Sequence, residues 1–331
     1  RRSLRAAGVT RFWCSLLQLA GGAALVFLGA EWLVRGGAGL ARRWGVSPLI
    51  VGLTVVAYGT SAPEVVVGLR AGWGGHGELA LGNVVGSNIA NFGLILGLTA
   101  LLKPTPVRRT LARIDVPVLL LTTLGLLLMF LDGRLAIWEA CLLLLLAVAY
   151  SAWMVHRTAP DTQDHLTLAE DSAQTLGAPP GGTPTRLAVL VVAGLLLLVL
   201  GGHLLVEGAS VLALRLGMSE RLVGLTVVAV GTSLPELASC LVAAWRGHTD
   251  LAVGNVVGSN LFNILLCLGA AGLTGGVWGT PTLASLDFGA LAVITLLALF
   301  LLRTERHIRR WEGALLLGTY GVYLVLTSGG G

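Results

Sequence analysis

Two stretches of this chain are close to copies of one another. Residues 52–97 pair with residues 224–269 without a gap, and 29 of the 46 paired positions are identical. Whatever one copy builds the other must build too, so the fold has to accommodate the same unit twice. Both copies are apolar enough for a membrane interior. Yet each carries Thr, Ser, Pro, Glu and Asn in the same order: GTSAPE then VGSNIAN in the first, GTSLPE then VGSNLFN in the second. Ionisable groups are expensive in a membrane span and mark function by default.

Of the 331 residues, 55% are hydrophobic and only 12% charged, against about a quarter charged in soluble domains. The apolar runs are continuous rather than alternating, which selects transmembrane helices over a barrel. The net charge of +5 comes from short basic clusters between apolar runs. That is the pattern of membrane topology and not of a nucleic-acid surface. Cys14, Cys141, Cys240 and Cys267 lie in apolar runs without CxxC spacing and read as small buried hydrophobes. After Arg1, Arg2, Arg5 and Arg11 an apolar run extends from Trp13 to Val34 with no AxA-like cleavage site. It reads as a first span and not as a signal peptide.

A helical span needs about 20 apolar residues. By that measure the spans fall near 13–34, 48–72, 78–101, 114–131, 135–155, 187–207, 219–245, 250–271, 286–302 and 311–327. The second, third, seventh and eighth carry the repeats, and their glycines and polar groups predict bent or broken helices. Residues 157–185, rich in Pro, Gly, Thr and acid, read as a solvated linker. Its acids lack the spacing of an EF-hand. The expected organisation is a first half over 1–156, the linker, and a second half over 186–331. Similarity also extends upstream of the repeats, where LVRGGAGLARRWGVS (33–47) matches LVEGASVLALRLGMS (205–219). Five spans per half is an odd number, so the halves cross the membrane in opposite senses. The fold class is therefore an all-α membrane protein of ten transmembrane helices arranged as two inverted five-helix repeats, with any substrate near the midplane. With both termini outside, the inward loops hold 14 of the 22 Lys and Arg residues, which places the linker in the cytoplasm. Trp13, Trp32, Trp138 and Trp311 sit near span ends as interface anchors.

The chemistry lies in the repeated segments. Thr60 and Ser61 precede Glu64 by four and three residues and share its helical face, as Thr232 and Ser233 do for Glu236. Pro63 has no N–H and crowds the carbonyl four residues back, so it kinks the helix and loosens backbone oxygens. Ser87 with Asn91, and Ser259 with Asn263, add hydroxyl and amide oxygens on a shared face. An all-oxygen donor set suits hard cations such as Ca²⁺ and Na⁺ and not zinc or copper. Neither copy supplies Lys or Arg on its apolar face, so Glu64 and Glu236 need a bound cation or a proton as counter-charge. Asn83, Asn88, Asn255 and Asn260 fall off that face and read as glue between helices. His76 and His248, in GHGE and GHTD, read as turn or capping residues.

GTSAPE with VGSNIAN, repeated as GTSLPE with VGSNLFN, resembles the alpha-repeats of the calcium/cation antiporter superfamily, in particular its compact prokaryotic sodium/calcium exchangers. The resemblance covers the whole ten-span plan. It implies ion sites at the membrane centre, with Glu64 and Glu236 as shared carboxylates and Asn91 and Asn263 as amide ligands. Thr60, Ser61, Ser87, Thr232, Ser233 and Ser259 would then supply hydroxyls, and Ala57 and Ala229 carbonyls. It implies alternating access, with the first and sixth spans sliding over a fixed core, and export of one Ca²⁺ for three Na⁺. Potassium-dependent relatives have Asp where this chain has Asn263, which argues against potassium dependence. Motifs of the GNALEH or GNAAEH type, which mark proton/calcium exchangers, are absent, so Na⁺ is the expected counter-ion. Exchange of Ca²⁺ for H⁺ through Glu64 or Glu236 is the alternative, and a cation channel a more distant one. No cofactor and no protein partner are implied beyond the ions and the bilayer of the cell inner (plasma) membrane. With no His placed as a base in the spans, an enzyme is not expected.

Overall fold

The computed structural model describes residues 2–156, 183–216, 229–279, 286–304 and 307–329. The expected linker lies, apart from its last residues, outside the described residues, as does the start of the expected span 219–245.

The first half runs through α1 (Arg2–Trp44), α2 (Pro48–Thr60), α3 (Ala62–Trp73), α4 (Gly77–Leu102), α5 (Leu111–Asp132) and α6 (Ile137–His156). The second continues with α7 (Pro184–Arg215), α8 (Ala229–Thr232), α9 (Leu234–Trp245), α10 (Thr249–Gly272), α11 (Phe288–Thr304) and α12 (Arg310–Gly329). A short antiparallel pair, β1 (Thr105–Pro106) with β2 (His307–Ile308), ties the loops after α4 and α11. The protein is an all-helical, multi-pass membrane protein. Among the described residues six helices are long and apolar enough to cross a membrane, and seven if the bent pair α2–α3 counts as one. The other expected spans fall short of that measure for local reasons. The part of 219–245 that is described supplies a 12-residue helix, α11 has 17 residues, and α12 is diluted by Gly, Thr and Tyr over 318–323.

Burial sorts the helices. The apolar stretch of α10 is 94% buried and that of α4 78%, against 28–33% for α1, α5, α6 and α7. The two helices carrying the GNVVGSN motif therefore form the interior, and the others turn Leu121, Leu145, Val148 and Leu196 outward. Apolar side chains exposed in this number need hydrocarbon around them. Trp13, Trp138 and Trp311 are exposed as interface anchors would be. Cys240 and Cys267 are buried as expected. Cys14 and Cys141 are exposed instead, because they face outward from helices that present one side to lipid.

Close packing depends on glycine at two places. The antiparallel helices α1 and α7 meet along heptad-spaced glycines, so that backbone rests on backbone. A Cβ on Gly22 would lie 2.8 Å from the Gly201 carbonyl oxygen, one on Gly29 2.7 Å from that of Gly194, and one on Gly208 2.8 Å from that of Ser15. In the core, α2 crosses α10 where Gly52 faces Gly254. A Cβ on either would fall 2.4 Å from a carbonyl oxygen, of Leu251 or Leu49 respectively.

The corresponding contacts of the two halves are not equal. α1 packs along α9, where Arg246 places Nε 2.9 Å and Nη2 2.6 Å from the two oxygens of Glu31, and Phe27 meets Trp245. Arg35 adds a third contact to Glu31 at 2.6 Å. Among the described residues the equivalent pairing, α7 on α3, has no comparable contact. There Glu31 is replaced by His203 and Arg246 by Gly74.

Candidate functional site

Each repeat breaks its helix at the same serine. Ser61 (φ −83°, ψ 4°) ends α2 and Ser233 (φ −89°, ψ 7°) precedes α9, both outside helical geometry. The proline two residues on supplies no N–H for the carbonyl four residues back, and α3 leaves α2 at 42°. This is the kink expected from Pro63. It places Glu64 and Glu236 in the first turn of α3 and α9, where the aligned peptide dipoles favour negative charge.

A second irregularity falls in the other two repeat helices, expected to be bent or broken, but its form had no signal in the sequence. Helices α4 and α10 widen into π-helical turns over Asn91–Leu96 and Asn263–Leu268, each opening on a candidate asparagine. Such turns interrupt regular helices chiefly at functional sites. The packing exchanges partners between the halves. α3, which bears Glu64, lies against the π-turn of Asn263, and α9, which bears Glu236, lies against that of Asn91.

Both carboxylates are almost fully enclosed, at 1% and 2% exposure. Among the described residues the ion pairs join Glu31, Asp250 and Glu207 to Arg or His, and neither Glu64 nor Glu236 takes part. The hydroxyl of Ser61 donates across the halves to Glu236 Oε1 at 3.1 Å. Asn263 Nδ2 donates to Asn88 Oδ1 at 3.2 Å. Thr60 Oγ1 lies within donating distance of the Val56 carbonyl (3.0 Å), Asn255 Oδ1 (3.2 Å) and the Ala57 carbonyl (3.5 Å). The Ala57 carbonyl also accepts the Ser61 amide at 3.0 Å. Ser259 Oγ donates to Asn255 Oδ1 at 3.3 Å, and Ser87 is buried in α4. Thr232 is half-buried at the end of α8, which starts at Ala229.

Several of these atoms have no hydrogen-bond partner among the described residues: both oxygens of Glu64, Glu236 Oε2, both amide atoms of Asn91, and Ser233 Oγ. Each buried polar group left this way costs roughly 1–3 kcal/mol, and a charged one more. Groups of that cost gathered where the halves cross fit a ligand that accepts oxygen lone pairs. The donor set is two carboxylates plus neutral oxygens. Among the described residues no three His, Cys, Asp or Glu side chains are grouped, so a thiolate or imidazole metal centre is not built here. His76 and His248 serve turns: their carbonyls accept the amides that open α4 and α10, and neither side chain caps its helix. Burial, with Arg42 and Lys103 nearby, lowers the His248 pKa from its usual range.

Two residues of this region were read differently in the sequence. Cys267 Sγ lies 3.8 Å from the Ser61 carbonyl and 3.6 Å from Asn263 Oδ1, so a residue read as apolar filler borders the candidate ligands. Asn255, read as glue, touches two candidate hydroxyls. Its place in a repeated motif was visible, but which groups it meets depends on the helix from the other half.

The family profile described as sodium/calcium exchanger protein matches residues 14–156 and 186–329. CaxA of Alkalimonas amylolytica is 40% identical over 309 residues, covering 92% of this chain and 96% of that protein. The sodium/calcium exchanger MaX1 of Methanosarcina acetivorans is 32% identical over 336 residues, covering 91% and 95%. A solved structure of the sodium-calcium exchanger NCX_Mj superimposes with a TM-score of 0.81 at 30% identity, covering 95% of this chain and 99% of that one.

Proposed function

Since this chain belongs to the sodium/calcium exchanger protein family, we propose that it is a secondary active antiporter of the inner (plasma) membrane that exports Ca²⁺ in exchange for Na⁺. Its ions bind where the two halves cross, at Glu64 and Glu236 with Asn91, Asn263, Thr60, Ser61, Ser87, Thr232, Ser233, Ser259 and the carbonyls of Ala57 and Ala229. The observation that carries this reading is the pair of enclosed carboxylates that, among the described residues, form no ion pair, with the Ser61 hydroxyl on Glu236 and unpartnered oxygens on both. Two ionised Glu carry −2. One Ca²⁺ cancels that charge, and three Na⁺ leave +1, so the two loads compete for one set of oxygens and their exchange moves charge. Ten spans in two inverted halves, with both termini outside, complete the proposal. In support, the elements of the repeats recur at the same offset and meet by exchanging partners.

The test is ⁴⁵Ca²⁺ flux in proteoliposomes. A Na⁺ gradient drives counter-transport and a pH gradient does not; the reverse result selects Ca²⁺/H⁺ exchange, and conduction without counter-ion selects a channel. A membrane potential accelerates the Na⁺-driven flux, because one net charge per cycle across 100 mV is worth about 2.3 kcal/mol. Flux indifferent to voltage rejects the 3:1 ratio.

Alternating access then assigns α1 and α7 as the pair that moves over the core, a reading supported by their backbone-to-backbone glycine seam. The Glu31–Arg246 contact seats α1 on α9 at one end only, which favours the state closed at that end. Removing it with Arg246→Gln is expected to raise labelling of Cys267 by a small membrane-impermeant thiol reagent from the cytoplasmic side. With Cys14, Cys141 and Cys240 replaced by Ser, the expected rise is about fivefold, the population shift that follows from losing ~1 kcal/mol at a partly exposed ion pair. An unchanged labelling rate shows that the contact does not bias the states.

A further inference from the structure

Asn255 is fully buried on α10 and touches four side chains at once. Its Oδ1 faces the hydroxyls of Thr60 at 3.2 Å and Ser259 at 3.3 Å. Its Nδ2 donates to Ser239 Oγ at 2.9 Å and to Cys240 Sγ at 3.3 Å. Ser239 in turn donates to the backbone carbonyl of Glu236 at 2.9 Å. Because the Ser239 proton is committed to that carbonyl, its oxygen accepts, and the amide of Asn255 is held with Nδ2 toward Ser239 and Oδ1 toward the two hydroxyls. The counterpart in the first half, Asn83, makes among the described residues a single long contact, to the Glu64 carbonyl at 3.5 Å. The arrangement therefore belongs to one half and is not a by-product of the duplication.

A hydroxyl carries one proton and two lone pairs, and it serves a cation only when the proton points away. We propose that Asn255 is the positioning residue that takes the protons of Thr60 and Ser259, so that both oxygens present lone pairs to the transported cation. This rests on the proposed reading of Glu64 and Glu236 as the ion site. Without Asn255 the proton of Thr60 is left to the Val56 carbonyl, or to the Ala57 carbonyl or Glu236 carboxylate. In either of the last two cases it occupies a lone pair of a second candidate ligand. Partners that orient metal ligands in this way typically change affinity by 10–100-fold when removed.

The experiment compares Asn255→Ala, Asn255→Asp and Ser239→Ala with the unaltered protein in proteoliposomes, reading the apparent KM for Ca²⁺ separately from the maximal rate and checking each by thermal melting in detergent. Asn255→Ala is expected to raise KM about tenfold, the low end of that range, with a smaller change in maximal rate. Asn255→Asp keeps an acceptor for both hydroxyls and is expected to bring KM back to within about threefold of the starting value, well inside the loss set by a missing orienting partner. Ser239→Ala leaves Asn255 in place but frees its amide to turn; a rise of about threefold is expected, and this variant carries the test if Asn255→Ala does not fold. KM unchanged in both Asn255→Ala and Ser239→Ala, or raised alike in the Ala and Asp variants, overturns the proposal in favour of simple packing. If the unaltered protein exchanges no Ca²⁺, the reading of the site fails first. If it exchanges and these variants do not differ, only the role of Asn255 fails.

Discussion

Glu64→Gln and Glu236→Gln are each expected to abolish Na⁺-driven Ca²⁺ flux while leaving the protein folded. Either change halves the negative charge in an enclosure where, among the described residues, no Lys or Arg pairs with either carboxylate. A divalent ion then faces one carboxylate, and the loss is expected to reach about 100-fold or more, equivalent to ~2.7 kcal/mol of binding. The sign of the stability change is opposite. Even with the Ser61 hydroxyl donating to Glu236, an ionised carboxylate buried with no cation beside it is a burden on the ion-free fold, and Gln removes the charge at nearly constant volume. In ion-free buffer both variants are expected to melt higher, by roughly 1–2 °C for each kcal/mol relieved. Added Ca²⁺ stabilises the unaltered protein but no longer the variants. Exchange retained above a tenth of the original rate in both variants defeats the assignment of these residues. A lower melting temperature without ions shows instead that protein contacts stronger than the Ser61 hydrogen bond hold the charged carboxylates.

The second large effect concerns the crossing of α2 and α10. Gly254→Ala puts a methyl group 2.4 Å from the Leu49 carbonyl and 2.9 Å from the Leu53 amide nitrogen, and Gly52→Ala meets the Leu251 carbonyl at 2.4 Å. Backbone atoms inside two packed helices have nowhere to withdraw. Either substitution is expected to cost about 3 kcal/mol or more, the upper range for overpacking a well-filled core. The matched control is Gly125→Ala on α5, where an added Cβ meets nothing within 4 Å. There, exchanging Gly for Ala in a helix is neutral or stabilising by up to ~1 kcal/mol. Thermal unfolding of the three purified variants decides the matter. Equal melting temperatures for Gly254→Ala and Gly125→Ala would mean that the crossing is looser than this packing implies.

Reading helices from apolar runs worked where lipid demands the run. α4, α5, α6 and the first part of α7 fall where continuous hydrophobicity placed them. It served less well at α1 and α7. These helices extend past the apolar run to Trp44 and Arg215, because helix continues into the interface as long as nothing breaks it. The break before Glu64 was legible, since proline's missing N–H acts on its own neighbours. The π-turns at Asn91 and Asn263 were not. Widening a helix by one residue depends on what packs beside it, and the two turns share only Asn and a few Leu.

What the sequence determined alone is the inventory: a membrane chain, duplicated, with one acid in each GTSAPE or GTSLPE motif and oxygen donors on its face. Those follow from composition and from local covalent chemistry, which need no partner. Tertiary structure decided the pairings. It set Glu236 beside Ser61, Asn263 beside Asn88, and Asn255 beside Thr60, and it seated α1 on α9 while leaving α7 without the equivalent contact. Each of these contacts joins residues more than 170 positions apart, and two copies of one motif meet their neighbours differently once the helices around them differ.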